Sequence, residues 1–524
     1  MSKGKAKKRS KQPDRSGREV NQETTGHSGP FTWKQAAIVG PVAAAIAAGL
    51  FAIVLQVMKP SSPAFTIGLD EEDVGQEVER AVDPLRQDMA SFSAEIKALS
   101  DQLATGELAP RQPVPDSEDP LKVKAVKFYN DGIDAQNRGE SGQAIGYYRA
   151  SLDLDPDDAK ARNNLGVALA AEGYLDDAVK QYKEALKLVR DDAMAHYNLG
   201  LALQTKGELD EAIKHYKDAL RIDQDYAHAH NNLGNALKAK GELDAAIEHY
   251  NDALRIDPYD AVVHNNLGVA LTAKRELDAA IVHYNAALLI DPGYAVAHKN
   301  LAFAFASQGD LDRAIEQFSL ALRFDPRSAE AHHNLALAFQ TKGELDEATK
   351  HYNAALRIDP DQASAHHGLG MALEARGDLD GAIKHYKQAL RIDPDFAFAH
   401  NSLGIALRAK GDLDGAIKQF KDAVRLAPDD GPIHINLAIA LRDSGDLDGV
   451  IEQIRQALRI NPRIARWYNL LAACLAQKNS VPEAVAALEK AIELAPRYRE
   501  KARGDSQYDP IRDDPAFRKL VYDE

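Results

Sequence analysis

A 34-residue pattern recurs eleven times in phase, with no insertion or deletion, over residues 125–498. The copy at residues 227–260 reads AHAHNNLGNALKAKGELDAAIEHYNDALRIDPYD. A unit of this length holds two helices and cannot bury its own apolar face, so successive copies must stack on one another. The period therefore predicts an all-α array of helix–turn–helix units, which leaves no room for an enzyme domain.

Fixed residue types within the copy explain how the two helices meet and end. Small residues stand at the eighth, twentieth and twenty-seventh positions and an aromatic residue at the twenty-fourth, for example Gly234, Ala246, Ala253 and Tyr250. We expect the small residues to let the helices approach closely and the aromatic ring to fill the wedge between neighbouring copies. Glycine at the fifteenth position should end the first helix, and proline at the thirty-second the second. Asp at the eighteenth, such as Asp244, is predicted to accept free amides where the second helix starts.

This signature resembles that of the tetratricopeptide repeat family. The resemblance implies a right-handed α-solenoid superhelix of eleven repeats, whose first helices line an inner face that binds other polypeptides. It also implies no catalytic residues, and neither a metal nor a cofactor is expected.

Asparagine forms a row at the sixth position of the copies, which Gly368 and Ser402 interrupt. The row is similar to the one in the repeat domain of O-linked N-acetylglucosamine transferase, where amides bind the backbone of an extended peptide. An amide both donates and accepts hydrogen bonds, so it can pair with any peptide unit. The alternative is that these amides only cap or solvate a helix face. The predicted peptide-binding residues are Asn130, Asn164, Asn198, Asn232, Asn266, Asn300, Asn334 and Asn436.

Histidine forms two further rows. At the fourth position stand His196, His230, His264, His298, His332, His366, His400 and His434, and at the twenty-third His215, His249, His283, His351 and His385. Such rows could bind metal or respond to pH. The fourth position normally carries a packing aromatic in the family, so we interpret these histidines as packing residues and predict no metal site.

Charge and cysteine content narrow the classes of partner. The net charge is −15, and an acidic array argues against nucleic acid, whose phosphates require a basic surface. The single cysteine, Cys474, excludes an intrachain disulfide framework, and its apolar neighbours predict a buried thiol.

The residues before the array divide into a basic tail and an apolar segment. Residues 1–35 carry nine basic and three acidic side chains, which we interpret as a disordered cytoplasmic tail; a nuclear-localisation or RNA-binding arm is the alternative. Residues 36–57 contain no charge and are predicted to form a transmembrane helix ending at 58, rather than a cleaved signal peptide. The positive-inside rule then predicts a single-pass membrane protein with a cytoplasmic N-terminus and exported repeats, periplasmic in a bacterium.

A linker at residues 59–77 precedes apolar residues at alternating spacings of three and four, from Val78 to Leu103. This spacing predicts a coiled-coil stalk over residues 78–108, and a homo-oligomer through residues 78–103. An amphipathic helix lying on the membrane or on the array is the alternative. Residues 109–124 form a proline-rich linker, and residues 499–524 are predicted to cap the last repeat.

Together these features predict a non-catalytic scaffold, anchored in a membrane through residues 36–57, that binds extended polypeptides or proteins on its inner face. One alternative is an accessory subunit that recruits substrates for a separate envelope enzyme, such as a glycosyltransferase. Another is a soluble adaptor, if the apolar segment does not span a membrane.

Overall fold

The computed structural model describes residues 106–115 and 119–522. These residues form 24 α-helices and one 3₁₀ helix, and no strand occurs among them. Within the array each helix packs against the next in sequence, and most first helices of consecutive pairs also contact one another. The predicted all-α helical repeat solenoid is confirmed.

The first helices of the pairs together form one side of the array, which we call the inner face. They are α1 (Pro120–Asn137), α3 (Ala159–Ala171), α5 (Ala193–Thr205), α7 (Ala227–Ala239), α9 (Ala261–Ala273), α11 (Ala295–Ser307), α13 (Ala329–Lys342), α15 (Ala363–Ala375), α17 (Ala397–Ala409), α19 (Gly431–Asp443) and α21 (Ala465–Gln477).

The second helices each begin at the seventeenth position of the copy. They are α2 (Ser141–Leu154), α4 (Leu175–Leu188), α6 (Leu209–Ile222), α8 (Leu243–Ile256), α10 (Leu277–Ile290), α12 (Leu311–Phe324), α14 (Leu345–Ile358), α16 (Leu379–Ile392), α18 (Leu413–Leu426), α20 (Leu447–Ile460) and α22 (Val481–Leu494).

The turn inside each pair requires a left-handed backbone at the fifteenth position. Gly241 there has φ 81°, a conformation that glycine adopts without strain. Two copies lack the glycine, and Arg275 (φ 64°) and Asn479 (φ 56°) take the same conformation. Glycine therefore recurs at this position because the backbone conformation favours it. Arg275 adopts the same conformation with steric strain, because it has a Cβ.

Tight packing inside the pair comes from the glycine at the eighth position. A Cβ on Gly234 would lie 2.7 Å from a ring carbon of Tyr250, which is fully buried. The aromatic ring therefore packs on the first helix of its own pair. The ring of Tyr352 also lies against Gly368 of the next pair, at 2.5 Å from the position of a Cβ, while its hydroxyl donates to Gln340 of its own pair at 2.8 Å.

The aspartate at the eighteenth position has a different role from the one predicted. Asp244 lies inside the first turn of α8, and Glu242, the residue that caps this helix, makes no side-chain capping bond. The Asp244 carboxylate instead lies 2.7 Å from Nζ of Lys274, on the next pair. The row thus links consecutive copies through exposed ion pairs, each worth little free energy.

The predicted membrane topology is wrong for the part of the chain that the structure describes. No helix within residues 106–115 and 119–522 is long and apolar enough to cross a membrane. The longest, α1, has 18 residues and carries several charges, whereas a span needs about 20 mostly apolar residues. The localisation as a single-pass membrane protein with exported repeats is therefore corrected. Segment 36–58, like the tail 1–35 and the linker 59–77, lies outside the described residues.

Segments at both ends of the array pack against it. Residues 106–115, at the junction of the predicted stalk and the proline-rich linker, form no helix and lie against the inner face; residues 78–105 are outside the described part. At the other end follow α23 (Arg497–Gly504), a 3₁₀ helix (Ser506–Ile511) and α24 (Pro515–Tyr522). Tyr508, Phe517 and Val521 are fully buried there, and the Tyr508 hydroxyl donates to Asn469.

Candidate functional site

Residues 106–115, which we call the docked segment, are held on the inner face by three members of the asparagine row. The Asn198 amide accepts from the N–H of Glu107 at 2.7 Å and donates to its carbonyl oxygen at 2.7 Å. Asn164 makes the same two bonds with Ala109, at 2.7 and 3.1 Å. Asn130 makes them with Gln112, at 3.1 and 2.9 Å. Each amide thus binds both backbone groups of one residue.

This pairing imitates the edge of a β-sheet. In an extended chain the N–H and C=O of one residue point to the same side, and alternate residues share a side. Glu107 and Ala109 follow that spacing, whereas Gln112 comes one residue later, after Pro110, which has no N–H. The docked segment runs opposite to the array, since Glu107 meets the third copy and Gln112 the first.

Side chains fix the segment in addition to the asparagines. Gly106 has φ 105°, and a Cβ there would lie 3.0 Å from the Asn198 side-chain oxygen. The Tyr226 hydroxyl donates to the Glu107 carboxylate at 2.6 Å. Burial, and then the charge of Glu107, raise the pKa of Tyr226 well above its usual value, so this hydroxyl remains a donor. The Gln112 side chain donates to Asp158 at 3.0 Å.

The asparagine amides are oriented by the fifth position of the preceding copy. In six members of the row one N–H of the amide donates there, which leaves the amide oxygen and the second N–H for a backbone. The bonds are Asn164 to the Tyr129 hydroxyl (3.2 Å), Asn198 to Asn163 (3.0 Å), Asn232 to the Tyr197 hydroxyl (2.9 Å), Asn266 to Asn231 (3.0 Å), Asn300 to Asn265 (2.9 Å) and Asn436 to Asn401 (2.8 Å). The row is therefore preorganised along the array.

The row continues beyond the docked segment as far as the seventh copy. Asn232, Asn266, Asn300 and Asn334 are half-buried there, whereas Asn164 and Asn198 under the segment are buried. The structure therefore brings Asn130, Asn164 and Asn198 together around one backbone, and it shows no backbone of the described residues bound to the later members. Asn436 is separated from them by the interruption at Gly368 and Ser402.

The two histidine rows meet each other inside the pairs. Nδ1 of His196 lies 3.0 Å from Nδ1 of His215, and Nε2 of His196 lies 3.2 Å from the carbonyl oxygen of Arg190. Because a ring nitrogen facing a carbonyl must donate, the neutral His196 ring has its lone pair on Nδ1. Burial, and then the nearby His196, lower the pKa of His215 to about 4. The same contact joins His230 to His249 at 3.1 Å and His264 to His283 at 3.1 Å.

Sequence reasoning missed three parts of this arrangement. It did not assign the fifth position, although the recurring Asn-Asn pair was a visible signal. It treated the two histidine rows separately, although a constant offset of 19 residues relates them. It interpreted residues 109–115 as spacer, and no local pattern indicated that they bind the inner face.

Sequence comparison places these observations in a family. Four tetratricopeptide repeat models match residues 129–185, 168–207, 407–474 and 465–498. The chain is a tetratricopeptide repeat protein. A model of the C-terminal domain of cilia and flagella-associated protein 70 also matches this repeat protein, over residues 190–434. None of the curated proteins compared with it matches.

Three solved structures are similar to parts of this chain. MamA is 30% identical, with 32% of this chain and 96% of that chain covered and a TM-score of 0.30. YrrB, described as a repeat protein with an unusual peptide-binding site, is 25% identical, with 36% and 97% covered and a TM-score of 0.31. The Cut9–Hcn1 hetero-tetramer of APC/C is 16% identical, with 76% and 96% covered and a TM-score of 0.39.

Proposed function

We propose that this repeat protein is a non-catalytic scaffold that binds extended polypeptides along the inner face of a right-handed superhelix of eleven repeats. The observation that supports the proposal is the bidentate pairing of Asn130, Asn164 and Asn198 with the backbone of the docked segment. The docked segment stands in for such a ligand in the first three copies. Partners bind in the same manner, through hydrogen bonds between their backbone groups and the asparagine amides.

Backbone recognition explains why such a site tolerates many sequences. Each net hydrogen bond contributes about 0.5–1.5 kcal/mol, so a few asparagines supply useful affinity without any particular partner side chain. The amides are already oriented by the fifth position, which lowers the entropic cost of binding. Asn266 and Asn300 carry the same orienting bonds as Asn198 and offer a partner the next places along the array.

The docked segment also indicates which side chains the first three copies prefer. A residue with positive φ and no Cβ fits beside Asn198, as Gly106 does. An acidic residue follows it and meets the Tyr226 hydroxyl, and a small one fits at Ala109, which is only 7% exposed. A partner for these copies therefore contains an extended Gly-acid-x-small sequence.

The test measures binding of a fluorescent peptide of residues 106–115 to the full-length protein. The double substitution Glu107→Pro with Ala109→Pro removes the two backbone N–H groups that donate to Asn198 and Asn164. Loss of these hydrogen bonds should release the docked segment. We expect the peptide to bind this variant tightly and the unmodified protein weakly, because the tethered segment competes at an effective concentration of about millimolar.

The matched variants locate the binding. Adding Asn164→Ala and Asn198→Ala to the released variant should weaken peptide binding by at least tenfold, whereas adding Asn436→Ala, in the tenth copy, should not. Unchanged affinity after removal of both amides would show that the asparagine row does not bind peptide.

A further inference from the structure

We propose that the third and fourth copies each bind one divalent transition-metal ion. The first site consists of His196, His215 and Asp218, and the second of His230, His249 and Asp252. In each set a ligand atom from every residue lies within 4.8 Å of the other two. The ligands occupy the fourth, twenty-third and twenty-sixth positions of the copy, so one helix pair supplies a complete set.

The distances within each set fit a tetrahedral ion after small side-chain rotations. The two Nδ1 atoms are 3.0 Å apart in the first set and 3.1 Å apart in the second. Nδ1 of the first histidine lies 4.0 Å from Asp218 Oδ2, and 3.9 Å from Asp252 Oδ2 in the second set. Zinc bonds of about 2.0–2.2 Å place neighbouring ligand atoms roughly 3.4 Å apart, between these values.

The atoms around the ligands also resemble those of metal sites. Ligating histidines usually donate their other ring N–H to a carbonyl, which fixes the tautomer and the ring orientation. His196 Nε2 faces the carbonyl of Arg190 and His230 Nε2 faces that of Gln224, each at 3.2 Å. The lone pair on Nδ1 of the first histidine in each set therefore faces Nδ1 of the second, which donates to it here and must release that proton to bind a metal ion. The fourth coordination position remains for water.

The donor set defines the class of ion. Two imidazoles and one carboxylate suit Zn²⁺, Co²⁺, Ni²⁺ and Cu²⁺, and suit Mg²⁺ or Ca²⁺ poorly, since those ions prefer oxygen ligands. Each site also has an Arg side chain beside the outer carboxylate oxygen, with Arg221 Nε 3.8 Å from Asp218 Oδ1 and Arg255 Nε 3.6 Å from Asp252 Oδ1. These arginines hold the carboxylates without covering the ligand oxygens.

Other copies of the same array supply natural comparisons. The fifth copy keeps the histidine pair His264 and His283 but has Ala286 in place of the aspartate. The ninth copy keeps His400 and Asp422 but has Gln419, whose side-chain oxygen lies 2.7 Å from His400 Nδ1. Since the array accommodates both incomplete sets, a substitution that creates one in the third or fourth copy should leave the fold intact.

The experiment measures zinc stoichiometry by calorimetry and by metal analysis of untagged full-length protein after dialysis. We expect two zinc ions per chain for the unmodified protein, one for His215→Gln and none for His215→Gln with His249→Gln. Gln419→His completes a third set and should raise the number to three. Zinc should also raise the melting temperature of the unmodified protein and leave that of the double variant unchanged.

The alternatives give different results. If the double variant retains both ions, or the unmodified protein retains none, the two sets are not metal sites. If Asp218→Ala with Asp252→Ala still retains two ions, the histidine pairs alone bind the metal and the proposed three-ligand set is wrong. A spectrum of the Co²⁺ form that is not tetrahedral would contradict the proposed geometry.

Discussion

The Asn198 side chain binds both the N–H and the C=O of Glu107, 91 residues earlier in the chain, at 2.7 Å each. This amide makes the same two hydrogen bonds to the docked segment that a neighbouring β-strand would make. It also makes the segment's place on the inner face sensitive to single backbone groups, which leads to the first prediction.

Glu107→Pro should release the docked segment, because proline has no backbone N–H to donate to the Asn198 side-chain oxygen. Trypsin cleavage after Arg111 reports the release, since a chain bound to the inner face resists the protease. We expect cleavage to accelerate about tenfold, and Asn198→Ala to produce a similar effect. Asn436→Ala serves as the control and should leave the rate unchanged. Equal cleavage rates in all four proteins would mean that these bonds do not hold the segment.

Gly234→Ala should destabilise the array by about 1–3 kcal/mol, because the added Cβ would overlap the Tyr250 ring at 2.7 Å inside a closely packed pair. Denaturant unfolding measures the loss. Gly146→Ala is the control, since a Cβ there meets nothing within 4 Å on an exposed helix. That change should stabilise the protein by about 0.5–1 kcal/mol, through helix propensity alone. The same sign for both variants would contradict the packing explanation.

Arg275→Gly should stabilise the protein by about 0.5–1 kcal/mol. The arginine holds φ 64°, which costs about 1–2 kcal/mol for a residue with a Cβ, and glycine removes that cost while losing some backbone entropy. Thermal unfolding tests the gain. Glu276→Gly, one residue later at φ −86°, should instead lower the melting temperature. A decrease for Arg275→Gly would show that the side chain contributes more than its backbone costs.

Acid should weaken the array through His367. Burial, and then the nearby His333, lower the pKa of His367 to about 4, whereas the unfolded chain titrates near 6.5. Between these values the unfolded state binds more protons, so the stability present above pH 6.5 is lost as the pH falls toward 4. For this group the loss between pH 7 and pH 5 is about 2 kcal/mol.

The variant His367→Asn tests the assignment, since asparagine occupies the same position in other copies, as at Asn401. Its free energy of unfolding should fall by about 2 kcal/mol less than that of the unmodified protein between pH 7 and pH 5. Ser402→Ala removes the hydroxyl 3.0 Å from His367 Nε2 but keeps the imidazole, so it should retain the original pH dependence. If His367→Asn does not alter the pH dependence, another group is responsible.

The helices, the turns between them and the resemblance to the repeat family could all be predicted from local sequence. Periodicity predicted each helix pair, because the spacing of Leu233 and Leu237 places both on one face and the copy cannot bury that face alone. Glycine at the fifteenth position predicted the turn, because only one backbone conformation closes it. Burial of Cys474, which is 1% exposed, followed from its apolar neighbours, and burial raises the pKa of this thiol to about 11.

The partner of each row could be found only from the three-dimensional structure. Asp244 was assigned to its own helix end, but stacking brings it to Lys274, 30 residues later. Position four and position twenty-three were considered separately, until the crossing of two helices placed His196 against His215.

The asparagine row was visible in the sequence, whereas the backbone that it binds was not. Repeat periodicity states which side chains share a face, since that depends only on helical geometry. What lies on the face depends on contacts between residues far apart in the chain, such as Asn198 and Glu107, and on the close approach that Gly106 permits. Such contacts leave no period in the sequence, so only the tertiary structure decided them.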